Sequence, residues 1–376
     1  MARLGDLVTI SSSSEKLEGD TFWLLNLDMV EQQTGNIIQY NYVSKSQLNG
    51  SIIQFNTDIV LYSKLRPNLN KVVLPEKDGF ATSEMLPLKP DKTKLLKEYL
   101  AVYLRSDSFV TWAISKTTGA KMPRLGTKEL LSKDIPLPTL CEQRSIACQF
   151  GKINNLISLR KQQLSKLDEL VKSRFIEMFG DQKKNPYNLT VGKLSDVADI
   201  YLGLTHTPTY VEQGKPFLSV RDISSGEIDF TNCNYITEEE FNSLPNGARP
   251  KVGDMLFCRV GTIGKPVIIP ENTPDFGTFV SVGYLRHKPN VTNCYLKSWM
   301  ENDYFMQQVY DNVAGASQIN LNTGWLKNFR ILIPSIEAQM EFEKFVNQTD
   351  KSKSEIQKSL EKLETLKKAL MQKYFG

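Results

Sequence analysis

Histidine is nearly missing from this chain: His206 and His287 are the two in 376 residues. Neither has a partner at helical or hairpin spacing that would complete a metal site. Cysteine is sparse as well. Cys141, Cys148, Cys233, Cys258 and Cys294 are an odd number without a C-x-x-C pair, which argues against a disulfide framework or a zinc site and for idle thiols in a reducing cytoplasm. Long apolar runs are absent. Nothing approaches the roughly 18 apolar residues of a membrane span, and Met1-Ala2-Arg3-Leu4-Gly5-Asp6 lacks the basic head and apolar run of a signal peptide. The net charge of +4 permits a nucleic-acid partner without demanding one.

Catalytic signatures are missing too. There is no H-E-x-x-H, G-x-S-x-G or G-x-G-x-x-G. Gly261-Thr262-Ile263-Gly264-Lys265 looks like the end of a phosphate-binding loop, but Arg259 stands where the leading Gly is needed and Pro266 follows the Lys. A surface loop is the better reading, because Pro holds no magnesium ion. Asn185-Pro186-Tyr187 is similar to the N-P-P-aromatic signature of amino-group DNA methyltransferases but lacks its second Pro, and reads as a linker. Asp58 and Asp254 sit at strand starts, where turn residues are commoner than acid–base pairs.

What the chain does contain is a duplication. Gly119–Gly180 aligns without a gap onto Gly315–Gly376, a constant offset of 196 residues with 16 identities in 62 pairs. Gly119-Ala120 meets Gly315-Ala316, Pro138 meets Pro334, Gln143 meets Gln339, and Phe179-Gly180 meets Phe375-Gly376. Low-complexity helix would match Leu and Lys by chance, but not Gly, Pro and a terminal Phe-Gly in one register. Upstream the match loosens: Asp58–Leu61 pairs with Asp254–Phe257 at the same offset, and Trp23–Asp28 with Phe217–Asp222 at 194. Two copies of one unit follow, each a globular part and then a long helix.

Within the globular parts, β-rich runs (58–62, 265–269) interleave with helical stretches (94–105, 293–309), an α+β pattern without regular β-helix-β alternation. The tails carry apolar residues at sevens: Ile157, Leu164, Val171 and Met178 in one, Ile356, Leu363 and Leu370 in the other. Such spacing marks a coiled-coil seam, and Leu164, Leu167 and Leu170 against Leu360, Leu363 and Leu366 are the expected contacts.

Equivalent loops in the two copies carry basic and amide side chains. Lys64-Leu65-Arg66-Pro67-Asn68-Leu69-Asn70-Lys71 corresponds to Arg259–Lys265, and Lys121-Met122-Pro123-Arg124 to Ser317-Gln318-Ile319-Asn320. Arg and Lys suit guanine edges or phosphates, and Asn and Gln suit adenine. The side chains expected on a nucleic acid are Lys64, Arg66, Asn68, Lys71, Lys121 and Arg124 in copy one. In copy two they are Arg259, Thr262, Lys265, Gln318 and Asn320. Changing loop residues inside a constant frame is what two different reading heads on one scaffold would require.

Leu61-Tyr62-Ser63-Lys64-Leu65-Arg66-Pro67, and the Pro-then-Gln junctions Ile135-Pro136-Leu137-Pro138 with Glu142-Gln143 and Ile331-Leu332-Ile333-Pro334 with Gln339, resemble the specificity (S) subunit of type I restriction–modification systems. Thr205-His206-Thr207-Pro208 is similar to a Gly-Thr-Pro-type loop near the start of a recognition domain; copy one departs there, with Ser11–Ser14. The resemblance covers nearly the whole chain. It implies two target recognition domains, 1–140 and 186–335, each reading half of a split DNA site, with helices at 141–185 and 336–376 as an antiparallel coiled-coil spacer and an internal pseudo-twofold repeat. It further implies a non-catalytic chain in the cytoplasm that binds double-stranded DNA, two modification subunits and restriction subunits. S-adenosylmethionine, ATP and magnesium would sit on those partners and no cofactor on this chain. Against this stand two rivals: a stand-alone DNA methyltransferase, which needs a cofactor fold, and a coiled-coil adaptor, which needs no paired basic loops.

Overall fold

The structure is a computed structural model that describes residues 1–12, 19–48, 51–119, 121–313 and 319–376. Ser13, Ser14, Ala120, Gly315, Ala316, Ser317 and Gln318 lie outside the described residues. The chain forms two compact units, Met1–Lys161 with Gln357–Gly376, and Gln162–Ile356. Both long helices are present, Leu140–Phe179 and Ile336–Phe375, 40 residues each, roughly 60 Å at 1.5 Å per residue. The unit boundary runs through the helices rather than at their ends, because the aromatic residues that end each helix complete a globular core.

In the first unit, a four-stranded antiparallel sheet has the order Val8–Ile10, Met85–Pro90, Val60–Ser63, Val72–Val73. A second sheet has the order Tyr42–Ser44, Thr21–Leu25, Gly79–Thr82, Ile52–Phe55, with the middle pair parallel. Helices Lys97–Leu104 and Asp107–Ser115 cover the first sheet, split by Ser106, whose side chain accepts from the Phe109 N–H. Their core takes in Ile146 and Phe150 from the first long helix and Phe375 from the last turn of the second. Phe375 lies 5.7 Å from both Tyr99 and Tyr103, ring centroid to centroid.

The second unit repeats this plan by itself. Its four-stranded sheet has the order Ala198–Leu202, Val282–His287, Met255–Cys258, Val267–Ile268. Its smaller sheet runs Asn234–Ile236, Lys215–Leu218, Gly277–Thr278, again with one parallel pair. The helical stretch expected over 293–309 is two helices, Asn293–Met300 and Asp303–Asn312. Asn302 breaks it by accepting from the Tyr304 N–H, the capping that short amide side chains do well. Here the terminal aromatic is Phe179, 4.9 Å from Tyr295 and 5.5 Å from Phe342. Arg174 pairs with Glu341 and Asp168 with Lys353, so within this unit the two helices run antiparallel.

The Pro-then-Gln junction has a structural cause. Gln143 is fully buried; its Oε1 accepts from the Leu96 N–H at 2.9 Å, and its Nε2 donates to the carbonyls of Lys94 and Pro138 at 2.8 and 2.9 Å. Gln339 does the same with Thr292 N–H, Asn290 and Pro334 at 2.8, 3.1 and 3.0 Å. One side chain thus satisfies three main-chain groups that would otherwise be buried unpaired. Thr139 and Glu142 add a capping box at the start of the first long helix.

The inward residues of the helices keep a strict three–four alternation: 146, 150, 153, 157, 160, 164, 167, 171 in one and 342, 346, 349, 353, 356, 360, 363, 367 in the other. Leu164, Leu167 and Leu363 are half-buried and Leu360 is buried. Leu170 and Leu366 are a correction: they are 46% and 48% exposed. Each stands one residue, about 100° of rotation, before the seam position that Val171 and Lys367 occupy. Burial, then Arg105 and Lys161, hold the Lys367 ammonium below the usual lysine range.

Candidate nucleic-acid interface

In both units the strand that leads to the first expected loop lies in the four-stranded sheet, and the loop is stitched to the second. The Leu125 N–H donates to the Lys64 carbonyl at 2.9 Å, and the Leu321 N–H to the Arg259 carbonyl at 2.8 Å. A bridge pairs Leu65 with Arg124, and its counterpart pairs Val260 with Asn320. Two segments some 60 residues apart therefore form one surface, at the same place in each copy.

An arginine clamps each junction, from opposite sides. In the first unit Arg124 reaches Glu84, Nε to Oε2 at 3.3 Å and Nη2 to Oε1 at 3.1 Å. In the second unit Arg259 donates to the carbonyls of Leu321 and Val280 at 2.9 and 3.0 Å and to the Asn320 Oδ1 at 3.3 Å. Burial lowers the pKa of its guanidinium. Lys71 is likewise turned inward, its ammonium donating to the Leu27 carbonyl; burial lowers its pKa and Asp28 partly offsets this. Arg259 and Lys71 therefore build the scaffold of the surface, a role their sequence context did not distinguish from contact with a ligand. Arg259→Ala is expected to cost about 1.5–3 kcal/mol through the lost charged hydrogen bonds. Faster hydrogen exchange at Leu321 would report it; unchanged exchange there would count against the clamp.

The side chains left facing solvent are Arg66, Asn68 and Lys121 in the first unit and Lys265 in the second, with Lys64 and Thr262 half-exposed. Arg66 is held at φ +51°, its N–H donating to the Pro123 carbonyl at 2.8 Å. Asn320 is exposed but shares its Oδ1 with Arg259. Gln318, expected at this surface from the sequence, lies outside the described residues. Thr205, His206 and Thr207 are exposed at the end of strand Ala198–Leu202. Among the described residues no group of three or more His, Cys, Asp or Glu is placed to hold a metal ion, and no helix is long and apolar enough to cross a membrane.

The profile of the family described as type I restriction modification DNA specificity domain matches residues 1–169. The specificity subunit of the type I restriction enzyme MjaVIII from Methanocaldococcus jannaschii is 24% identical over 355 residues, 86% of this chain and 79% of that protein. The chain is thus similar to type I specificity subunits, by the family profile over its first 169 residues and by this relative over most of its length. A further relative, the EcoDI specificity subunit of Escherichia coli, is 27% identical over 117 residues, which are 31% of this chain and 26% of that protein. The fold agrees with the type I restriction–modification S subunit from M. genitalium at a TM-score of 0.61 and 14% identity, covering 100% of this chain and 95% of that one. It agrees equally with a chain from a structure of type I R-M complex assembly, at 0.60 and 17% identity, covering 100% and 96%. The residues that carry the type I resemblance, the Leu61–Pro67 segment and the two Pro-Gln junctions, thus mark the strand and loop of the first candidate surface and, in each unit, a glutamine latch.

Proposed function

We propose that this chain is a type I specificity subunit that reads a bipartite DNA site, one half through the loops around Arg66 and Lys121 and the other through the matching surface of the second unit around Asn320. The observation that carries this is the repeated junction: in both units two distant loops are tied at equivalent main-chain positions, while the side chains they present differ. A fixed frame with exchanged polar side chains gives two specificities from one fold, since base edges are told apart by donor and acceptor pattern.

The chain supplies specificity, and the chemistry belongs to its partners in the assembly. Two modification subunits bring S-adenosylmethionine, restriction subunits bring ATP and magnesium, and the assembly works in the cytoplasm. The long helices dock the modification subunits and set the number of unread base pairs between the half-sites.

The experiment is methylation mapping in cells that carry the chain with its modification subunits, before and after exchange of Arg66, Asn68 and Lys121 for other polar residues. A split motif that changes in one half is the expected result. Methylation without a split motif, or binding and turnover of S-adenosylmethionine by the purified chain alone, would favour a stand-alone methyltransferase. Indifference of the complete assembly to DNA would favour an adaptor.

A further inference from the structure

The turn Gly261-Thr262-Ile263-Gly264-Lys265 fails as a nucleotide-binding loop by sequence, yet its geometry has the features of an anion cradle. Gly261 and Gly264 sit at φ +73° and +83°, both left-handed. The Ile263 N–H folds back to the Gly261 carbonyl at 3.0 Å. Among the described residues, the N–H groups of Thr262, Gly264 and Lys265 donate to no protein acceptor. Lys265 is exposed and forms no ion pair among the described residues.

The turn is also held still. Ile263 packs against the core of its unit, Pro266 is buried, and the Arg259 clamp fixes the entry. Nothing lies within 4 Å of where a Cβ on Gly261 would stand, so a ligand can approach the main chain there. The free N–H groups of Gly264 and Lys265 are successive and adjoin a left-handed residue, an arrangement that makes a concave positive site. The exposed Lys265 side chain on the same turn adds a full positive charge.

We infer that the Gly261–Lys265 turn grips one backbone phosphate of the bound DNA through main-chain N–H groups and Lys265, and reads no base. This rests on the DNA-reading role proposed above. A single diester is the fitting anion, because the turn has neither the leading Gly nor the Ser or Thr that a polyphosphate with magnesium needs. The first unit solves the same problem differently: at the equivalent left-handed position it has Arg66 in place of Gly261, a guanidinium where the second unit offers amides.

The test measures duplex binding by the full chain with its modification subunits, for the parent, Lys265→Gln, Gly261→Ala and Gly261→Asn. Lys265→Gln should weaken specific and non-specific duplexes alike, roughly three- to tenfold near 0.1 M salt, and lower the salt slope by about one. Gly261→Ala strains the turn without a clash and should weaken binding, whereas Gly261→Asn, which tolerates the left-handed region, should restore it. A methylphosphonate at the gripped position should weaken the parent but not Lys265→Gln. The methylated motif stays the same in every variant. Unchanged salt slope in Lys265→Gln, or a relaxed half-site, overturns the cradle. So does tighter binding of inorganic phosphate or ATP than of DNA, lost in Lys265→Gln, which would make the turn a small-anion site. A parent assembly that binds no duplex overturns the DNA-reading role itself, and the cradle with it.

Discussion

Phe375→Ala, next to the last residue of the sequence, is expected to destabilise the unit built from Met1–Lys161 and Gln357–Gly376 by about 3–5 kcal/mol, the usual cost of emptying a buried Phe site. Phe375 is 6% exposed and touches Tyr99, Tyr103 and Phe150. More than 220 residues separate Phe150 from Phe375 in sequence, so nothing nearby in the chain replaces it. The readout is hydrogen exchange across helix Lys97–Leu104, where protection should fall by a corresponding factor. The second unit has its own aromatic at the matching place, Phe179 against Tyr295 and Phe342, so helix Asn293–Met300 should keep its protection. Phe179→Ala should give the mirror result. Loss of protection in helix Asn293–Met300 but not in Lys97–Leu104 on changing Phe375 would contradict this assignment of cores.

That pair of phenylalanines also shows why the repeat was legible in the sequence. Pro, Gln and terminal Phe matched at one offset because each does the same physical work twice. Pro138 and Pro334 present carbonyls to the glutamine latches, and Gly180 ends its helix at φ +72°. The α+β class, the long helices and the two candidate surfaces follow from such residues. What stayed hidden was three-dimensional. Heptad counting chose Leu170 and Leu366 by residue type, but the seam is set by rotation and goes to Val171 and Lys367. Helix 293–309 read as continuous because an interior Asn costs little on a propensity scale; its role as a cap depends on the turn it closes. Arg259 and Lys71 looked like ligands for DNA because a basic residue in a loop gives no sign of which way it points. Unit boundaries inside the helices could not be read either, since the cores join residues far apart in the chain.

Gln339→Glu should be among the most damaging single-atom changes available, and its effect should depend on pH. The side chain is fully buried, with its Nε2 between the Asn290 and Pro334 carbonyls. A carboxylate there has no N–H to give, so two carbonyls lose their donor and face a negative charge. At about 1–3 kcal/mol for each unsatisfied buried group, with charge burial added, the loss at neutral pH should be about 4 kcal/mol or more. Protonation restores one donor. Burial and the facing carbonyls both oppose the charged form, so the folded-state pKa of the introduced carboxyl rises above the unfolded value of about 4.3. A raised folded pKa means that the variant's stability is greatest below the unfolded pKa and is lost as pH rises through the folded one. Chemical denaturation of Gln339→Glu between about pH 4 and 8, set against the parent to remove its own acid sensitivity, should show the deficit shrinking towards the acid end. Gln339→Leu removes the donor without adding charge, so its deficit should be smaller at the alkaline end and flat across the range. A Glu variant whose deficit does not change with pH would mean that the carboxylate escapes to solvent, and that the latch is not as tightly enclosed as its hydrogen bonds require.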